Sequence, residues 1–147
     1  MVDGRGRLPR RVLRILTDTN VLVSALATRG LSADLLQIII AEHELLCAEV
    51  VLVELERILT RKLKVPQPAV DQQISALRRY TTIPAPHDPS PYLVREPDDS
   101  FVLASALLGQ ADVLVTGDKD LLSIKDEVRE LAIMDPRALW QLLRGSP

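Results

Sequence analysis

Apolar residues along this 147-residue chain alternate between short continuous runs and helically spaced stripes. Val12–Leu16 is a run broken only by Arg14, and it gives way abruptly to Asp18 and Asn20. That pattern predicts a buried parallel strand whose C-terminal end exposes a carboxylate before the chain turns into a helix. A second segment repeats the design: Val113, Leu114 and Val115 lead through Thr116 and Gly117 into Asp118, Lys119 and Asp120. In open α/β sheets the ligand crevice lies beyond the carboxyl ends of the strands. Two strands that both end in Asp therefore point to one acidic site.

The rest of the chain fills in between. A helix over Val21–Thr28 is expected to close at Gly30. Ser32 is placed to cap a second helix, Ala33–His43, with Leu35, Leu36, Ile39 and Ile40 inward. Glu44–Ala48 reads as the second strand. A third helix, Val50–Leu63, has Val51, Leu55, Ile58, Leu59 and Leu63 on its core face and Arg57, Arg61, Lys62 and Lys64 toward solvent. After Pro66, a fourth helix runs from Pro68 to Tyr80 with Val70, Ile74, Leu77 and Tyr80 inward. Thr81–Ile83 is a short third strand. Five prolines between Pro84 and Pro97 make a rigid loop. Asp98 or Asp99 caps a fifth helix, Ser100–Leu108, ended by Gly109. Asp112–Thr116 is the fourth strand. Ser123–Leu131 is helical or irregular, Ala132–Met134 is the fifth strand, and Pro136 opens a last helix to Leu143. Strands alternating with helices predict a three-layer α/β domain with a mostly parallel sheet.

Composition narrows the class. One domain is expected over residues 12–147, after a flexible basic extension at residues 1–11 that lacks the apolar core of a signal peptide. A chain this long buries roughly 70% of its unfolded surface and needs no staples. Cys47 is the single cysteine, so no intramolecular disulfide forms, and no Cys/His set has zinc spacing. The longest uncharged apolar stretch, Leu35–Ala41, is too short to cross a bilayer. A cytoplasmic protein with no membrane partner is expected. The net charge of −2 excludes binding to nucleic acid through bulk positive charge. Any nucleic-acid chemistry would need a local basic patch or a metal. His43 and His87 stand in no motif and read as ordinary loop or surface residues.

Each carboxylate has a plain structural explanation. Asp18 can be a helix N-cap, and Asn20 could serve the same role. Glu54 can be a solvated helical residue facing Arg57 three positions on. Asp98 and Asp99 can cap the fifth helix and complement its dipole. Asp118 and Asp120 can form a polar turn. These explanations leave the convergence unaccounted for. If the first and fourth strands are neighbours, Asp18 and Asp118 sit side by side at a switch point, and the helices that start on that edge bring Glu54 and Asp99 to it. Crowded carboxylates raise one another's pKa values unless a cation lies between them. All-oxygen ligands favour Mg²⁺ or Mn²⁺ over zinc.

The chain resembles the PIN-domain family over about Val12–Leu143. The likeness is carried by Leu16–Ser24, by Val53–Leu59, by Glu96–Ala106, and by Ala111–Leu122 with its specific Thr-Gly-Asp-Lys-Asp-Leu-Leu. The resemblance implies a five-stranded parallel sheet of order 3-2-1-4-5 in an α/β/α sandwich. It implies Mg²⁺- or Mn²⁺-dependent endonucleolytic cleavage of RNA, often as the VapC-like toxin of a toxin–antitoxin pair. The acids that carry over are Asp18, Glu54, Asp99 and Asp118, with Asp120 as a fifth. Asp18 is the expected direct ligand, and Glu54 orients or ligates through water. Asp99 rather than Asp98 matches, by its seven-residue distance to Ala106. Asn20 and Thr116 match supporting polar positions. Arg57, Arg61, Lys62 and Lys64 would contact RNA phosphates. An antitoxin chain and a second copy of the chain are the implied protein partners. Two departures are Glu96, where Asp is common, and Ala48, where Ser is common. Neither removes a ligand, though losing the Ser weakens support behind them.

Two other readings compete. A PIN scaffold that has lost catalysis would act as a protein- or RNA-binding module, but all four acids are present. A haloacid-dehalogenase-like phosphatase also opens with Asp at the end of a strand. It needs a second Asp two residues later, and Asn20 stands there.

Overall fold

Strands buried on both faces need no polar alternation, which is why the continuous apolar runs form a parallel sheet. A computed structural model describes residues 11–145. Its strands are β1 (Arg14–Thr17), β2 (Glu44–Ala48), β3 (Thr81–Ile83), β4 (Val113–Val115) and β5 (Ala132–Met134). They pair in parallel in the order β3-β2-β1-β4-β5, as expected. Leu16 of β1 lies beside Leu46 of β2 and Leu114 of β4, and all three are fully buried. The helices are α1 (Thr19–Ala27), α2 (Leu31–Glu42), α3 (Glu49–Arg57), α4 (Gln67–Leu77), α5 (Pro97–Leu108), α6 (Lys119–Ser123) and α7 (Pro136–Arg144). Together they sandwich the sheet in three layers, α/β/α. One core joins Leu22, Leu35 and Ile39 with Leu55, Leu59, Leu103 and Leu139 around the strands. Residues 1–10 of the expected basic extension lie outside the described residues. Among the described residues no single helix is long and apolar enough to cross a membrane.

Several boundaries differ from expectation, each for a local reason. α1 starts at Thr19 because Asp18 itself caps it. α2 starts at Leu31, capped by Gly30 at φ 142°, a conformation that favours glycine. Ser32 therefore lies inside the helix and is not the cap. α5 starts at Pro97 after Glu96, which puts Asp98 and Asp99 in its first turn rather than at the cap. α6 starts at Lys119, because Asp118 caps it, and of the two expectations for Ser123–Leu131, helical or irregular, the second holds: residues 124–131 are turns and irregular chain.

Three expected core residues are exposed: Leu63 at 45%, Ile40 at 39% and Tyr80 at 37%. α3 continues into a π-helical segment, Ile58–Lys62, whose wider turn carries Leu63 off the core stripe. Ile40 lies about 100° around the helix from the buried Ile39. Tyr80 lies beyond the end of α4. Gly109 ends α5 against β3, where a Cβ would come within 2.6 Å of Ile83 Cδ1.

The amino-terminal edge of the sheet carries its own charges, all matched. Arg14 Nη1 donates to both Glu44 oxygens at 2.9 and 2.6 Å, and its Nη2 donates to the Gly109 carbonyl at 2.7 Å. Asp112 accepts from the Arg14 backbone N–H at 2.8 Å and from Arg11 at 2.6 Å.

Candidate active site

The chain reverses direction between β1 and β4, since β1 leads on to β2 on one side and β4 to β5 on the other. Asp18 follows β1 and Asp118 follows β4 at that switch point. The Asp18 N–H donates to the Val115 carbonyl at 2.9 Å, which binds the two strand ends together. Asp18 is buried, 7% exposed. Its Oδ1 accepts from the Thr19 N–H at 2.7 Å, the capping bond of α1. Its Oδ2 accepts from the Thr116 hydroxyl at 2.7 Å. Thr116 Oγ1 accepts in turn from the Asp118 N–H at 3.0 Å. Asp118 Oδ1 accepts from Asp120 N–H at 2.8 Å and Leu121 N–H at 3.2 Å, capping α6. One hydrogen-bonded line thus sets Asp18, Thr116, Asp118 and Asp120 relative to one another. The capping explanation of Asp18 and Asp118 is correct, and it is also what aims them.

α5 supplies the opposing side. Carboxylate oxygens of Asp99, Asp118 and Asp120 all lie within 4.8 Å of one another. Among the described residues none of the three is ion-paired to Lys or Arg. Burial pushes Asp99 up to about 7, and the nearby charges of Asp118, Asp18 and Asp120 add to the shift. Burial also raises Asp18, against the Thr116 hydroxyl and Thr19 N–H, which favour its ionised form. Three half-buried carboxylates without a cationic partner among the described residues fit a hard divalent cation.

Glu54 stands apart from this cluster. It lines the same cleft, of about 710 Å³, with Asp18, Asn20, Asp98, Asp99 and Asp118. Its carboxylate, however, accepts from Arg57 Nε at 2.9 Å and Nη2 at 2.5 Å. That bond holds Glu54 below the usual carboxylate range. Asn20 is exposed at the cleft, and Thr116 is fully buried beneath it. Arg61 and Lys62 project from the π-helical segment, and Lys64 follows at φ 55°; all three are exposed.

The sequence reading passed over two features. Glu49 lines the cleft and pairs with Arg78. It directly follows β2, so the rule that flagged Asp18 would have flagged it. The cleft also has an apolar wall of Val50, Val53, Ile58, Phe101 and Val102. Val53 is 64% exposed there and breaks the helical stripe outward, which is the signal that could have shown it. Neither histidine is near. His43 Nδ1 accepts from the Leu13 N–H at 3.0 Å, and His87 is exposed in the proline-rich loop. Cys47 is buried in β2, and burial pushes its thiol up to about 12, so it is inert.

A parallel sheet of this order, with acids gathered at its switch point, places the molecule among the open α/β folds. The chain belongs to the PIN-domain family, whose sequence model matches residues 14–120. No curated protein sequence matches the chain. Among solved structures, it is similar to a chain of VapBC2 from Rickettsia felis, bound to a DNA fragment from their promoter. That match has TM-score 0.61 and 15% identity, covering 84% of this chain and 98% of that one. It is also similar to the PIN domain endonuclease Utp24, with TM-score 0.51 and 17% identity, covering 83% of this chain and 84% of that one. At such identities the two structures establish the shared fold.

Proposed function

We propose that this protein is a divalent-metal-dependent endoribonuclease and the toxin of a toxin–antitoxin pair. The observation that carries the reading is the convergence of Asp99, Asp118 and Asp120 within 4.8 Å, without a compensating Lys or Arg among the described residues. Asp99, Asp118 and Asp120 would hold Mg²⁺ or Mn²⁺. Asp18 would stand behind them and fix Asp118 through Thr116. Such a cation would supply an activated water and offset charge on the phosphodiester and the departing oxygen. Asp99 would have to be ionised to hold it. Arg57, Arg61, Lys62 and Lys64 hold phosphates of an RNA strand running past the mouth of the cleft. The fold shared with a VapBC2 chain and with an endonuclease supports both the hydrolase and the toxin readings. An antitoxin chain and a second copy of this chain are the protein partners this reading carries, and the cytoplasm is its place of action.

The test is incubation of the purified protein with a mixed pool of single-stranded and structured RNA, with Mn²⁺, Mg²⁺ or EDTA, beside Asp18→Asn. Internal cleavage that needs the metal and is lost in the variant is the expected result. Mn²⁺ binding with no cleavage of any RNA would overturn the enzyme reading in favour of a silent binding scaffold.

A further inference from the structure

Resting on that reading, we infer that Ser90 and Ser100 are positioning residues for Asp99: their clasp fastens the start of α5 and so holds Asp99 opposite Asp118 and Asp120. The other helices at the cluster are fastened by their own caps. Asp18 accepts from the first N–H of α1, and Asp118 accepts from the Asp120 and Leu121 N–H groups of α6. α5 has no such cap. Glu96 makes no side-chain bond to the helix, and Pro97 has no N–H to offer. A helix start without a capping side chain frays, because its first N–H groups have no partner within the helix. Asp99 stands in that first turn, yet its carboxylate lies within 4.8 Å of those of Asp118 and Asp120.

The fastening comes from the side. Ser90, in the proline-rich loop, donates its backbone N–H to Ser100 Oγ at 3.1 Å and to the Ser100 carbonyl at 3.3 Å. The Tyr92 N–H donates to Ser90 Oγ at 2.9 Å. Ser90 is 8% exposed and Ser100 6%, so water competes little for these bonds. Pro89 and Pro91 flank Ser90 and leave the segment 89–92 with two N–H groups, both of which enter the clasp. The rings also restrict the Ser90 backbone before the clasp forms, so less chain entropy opposes it. Tyr92 and Val94 pack against the core, and the Tyr92 hydroxyl donates to Glu130 in the connection before β5. The loop is thus anchored on the body of the domain, and the clasp passes that anchorage to the residue next to Asp99. The plain alternative is two buried serines that only satisfy each other. On that alternative, removing a hydroxyl lowers stability and leaves the metal affinity of the folded protein unaltered.

The experiment compares wild type, Ser100→Ala, Ser90→Ala, Asp99→Asn and the Ser100→Ala/Asp99→Asn double variant. Urea unfolding first establishes that each is folded under the assay conditions. Mn²⁺ binding is then measured by calorimetry without RNA. Ser100→Ala is expected to weaken Mn²⁺ binding roughly tenfold, as loss of a group behind a ligand does. Ser90→Ala should weaken it about fivefold, since the Ser90 N–H stays in place. That variant carries the test, alone and with Asp99→Asn, if Ser100→Ala does not fold. In the Asp99→Asn background the serine substitution should cost nothing further, because it acts through Asp99. Mn²⁺ affinity within about twofold of wild type in a folded serine variant would overturn the inference. An equal loss in the Asp99→Asn background would overturn it as well. A wild-type protein that binds no Mn²⁺ would overturn the proposed function together with the inference.

Discussion

The two ends of the sheet are both acidic, yet they are built on opposite terms. At the amino-terminal edge, Glu44 and Asp112 each meet an arginine, so charge there closes on itself and ties β1 to its neighbours. At the carboxyl edge, Asp99, Asp118 and Asp120 meet each other. The first arrangement contributes to stability and asks for nothing from outside. The second has no compensating cation among the described residues, and burial together with the charges of Asp118, Asp18 and Asp120 pushes Asp99 up to about 7. The lesson is that a carboxylate at the end of a strand means little until its partner is known. Paired acids fasten a fold, and convergent unpaired acids invite a cation.

The contrast is sharpest if one edge can be damaged without the other. Asp118→Asn keeps an oxygen for the α6 cap but removes charge from the cluster. It should lower metal-dependent RNA cleavage by more than about a hundredfold, beyond the effect typical of groups that only support a ligand. Circular dichroism should show an unchanged fold, and an initial rate within tenfold of wild type would remove Asp118 from the site. The mirror experiment is Asp112→Ala. It strips a charged acceptor from the Arg14 N–H and from Arg11. Urea unfolding should register a loss of about 1–3 kcal/mol, with metal binding unaltered. A fall in metal affinity there would erase the division between the two edges.

A smaller effect concerns pH. The raised value of Asp99 means that ionising it opposes folding. Below its ordinary value near 3.8 the carboxyl is neutral in both states and the penalty is absent; it grows up to about pH 7 and is fully present above. Without metal, stability should therefore decline across that interval by about 1 kcal/mol, after allowance for solvent screening. Asp99→Asn should abolish its share of the decline, and Mn²⁺ should offset it. Denaturation midpoints that rise across the interval, or a decline unaltered in Asp99→Asn, would contradict the account. The smallest change is expected from Glu44→Gln. Its pair with Arg14 is about one-third exposed on each side, so the cost should stay below about 1 kcal/mol. Arg14 keeps the Gly109 carbonyl in any case.

Much of this was legible along the chain. β2 falls where the hydrophobic pattern puts it, because burial on both faces of a parallel strand writes itself into consecutive residues; the edge strands β3 and β5 have the expected bounds too, although Thr81, Thr82 and Ala132 are exposed. Helix starts were read less well. Asp18 and Asp118 are caps and line the cleft at once, whereas the cap of α5 is Glu96, two or three residues before the expected Asp98 or Asp99, since Pro97 opens the helix. Leu63 was misjudged because a π-helical turn leaves no periodic trace. The candidate acids other than Glu54, which lies in the second turn of α3, were visible as strand ends and helix starts, and Glu49 could have been.

By itself, then, the sequence determined the elements, their parallel sense, and which carboxylates stand near the ends of strands. These are properties of windows a few residues long, set by side-chain periodicity and backbone capping. Tertiary structure decided which carboxylates share a site. Asp112 finds Arg14 across 98 positions, and Thr116 finds Asp18 across the same distance. Asp99 comes within reach of Asp118 only because α5 docks at the switch point. Glu54 lines the same cleft, and its carboxylate there takes Nε and Nη2 of Arg57. Electrostatic partnership depends on separations of a few ångströms, and those follow from strand order and helix docking, which no local window contains.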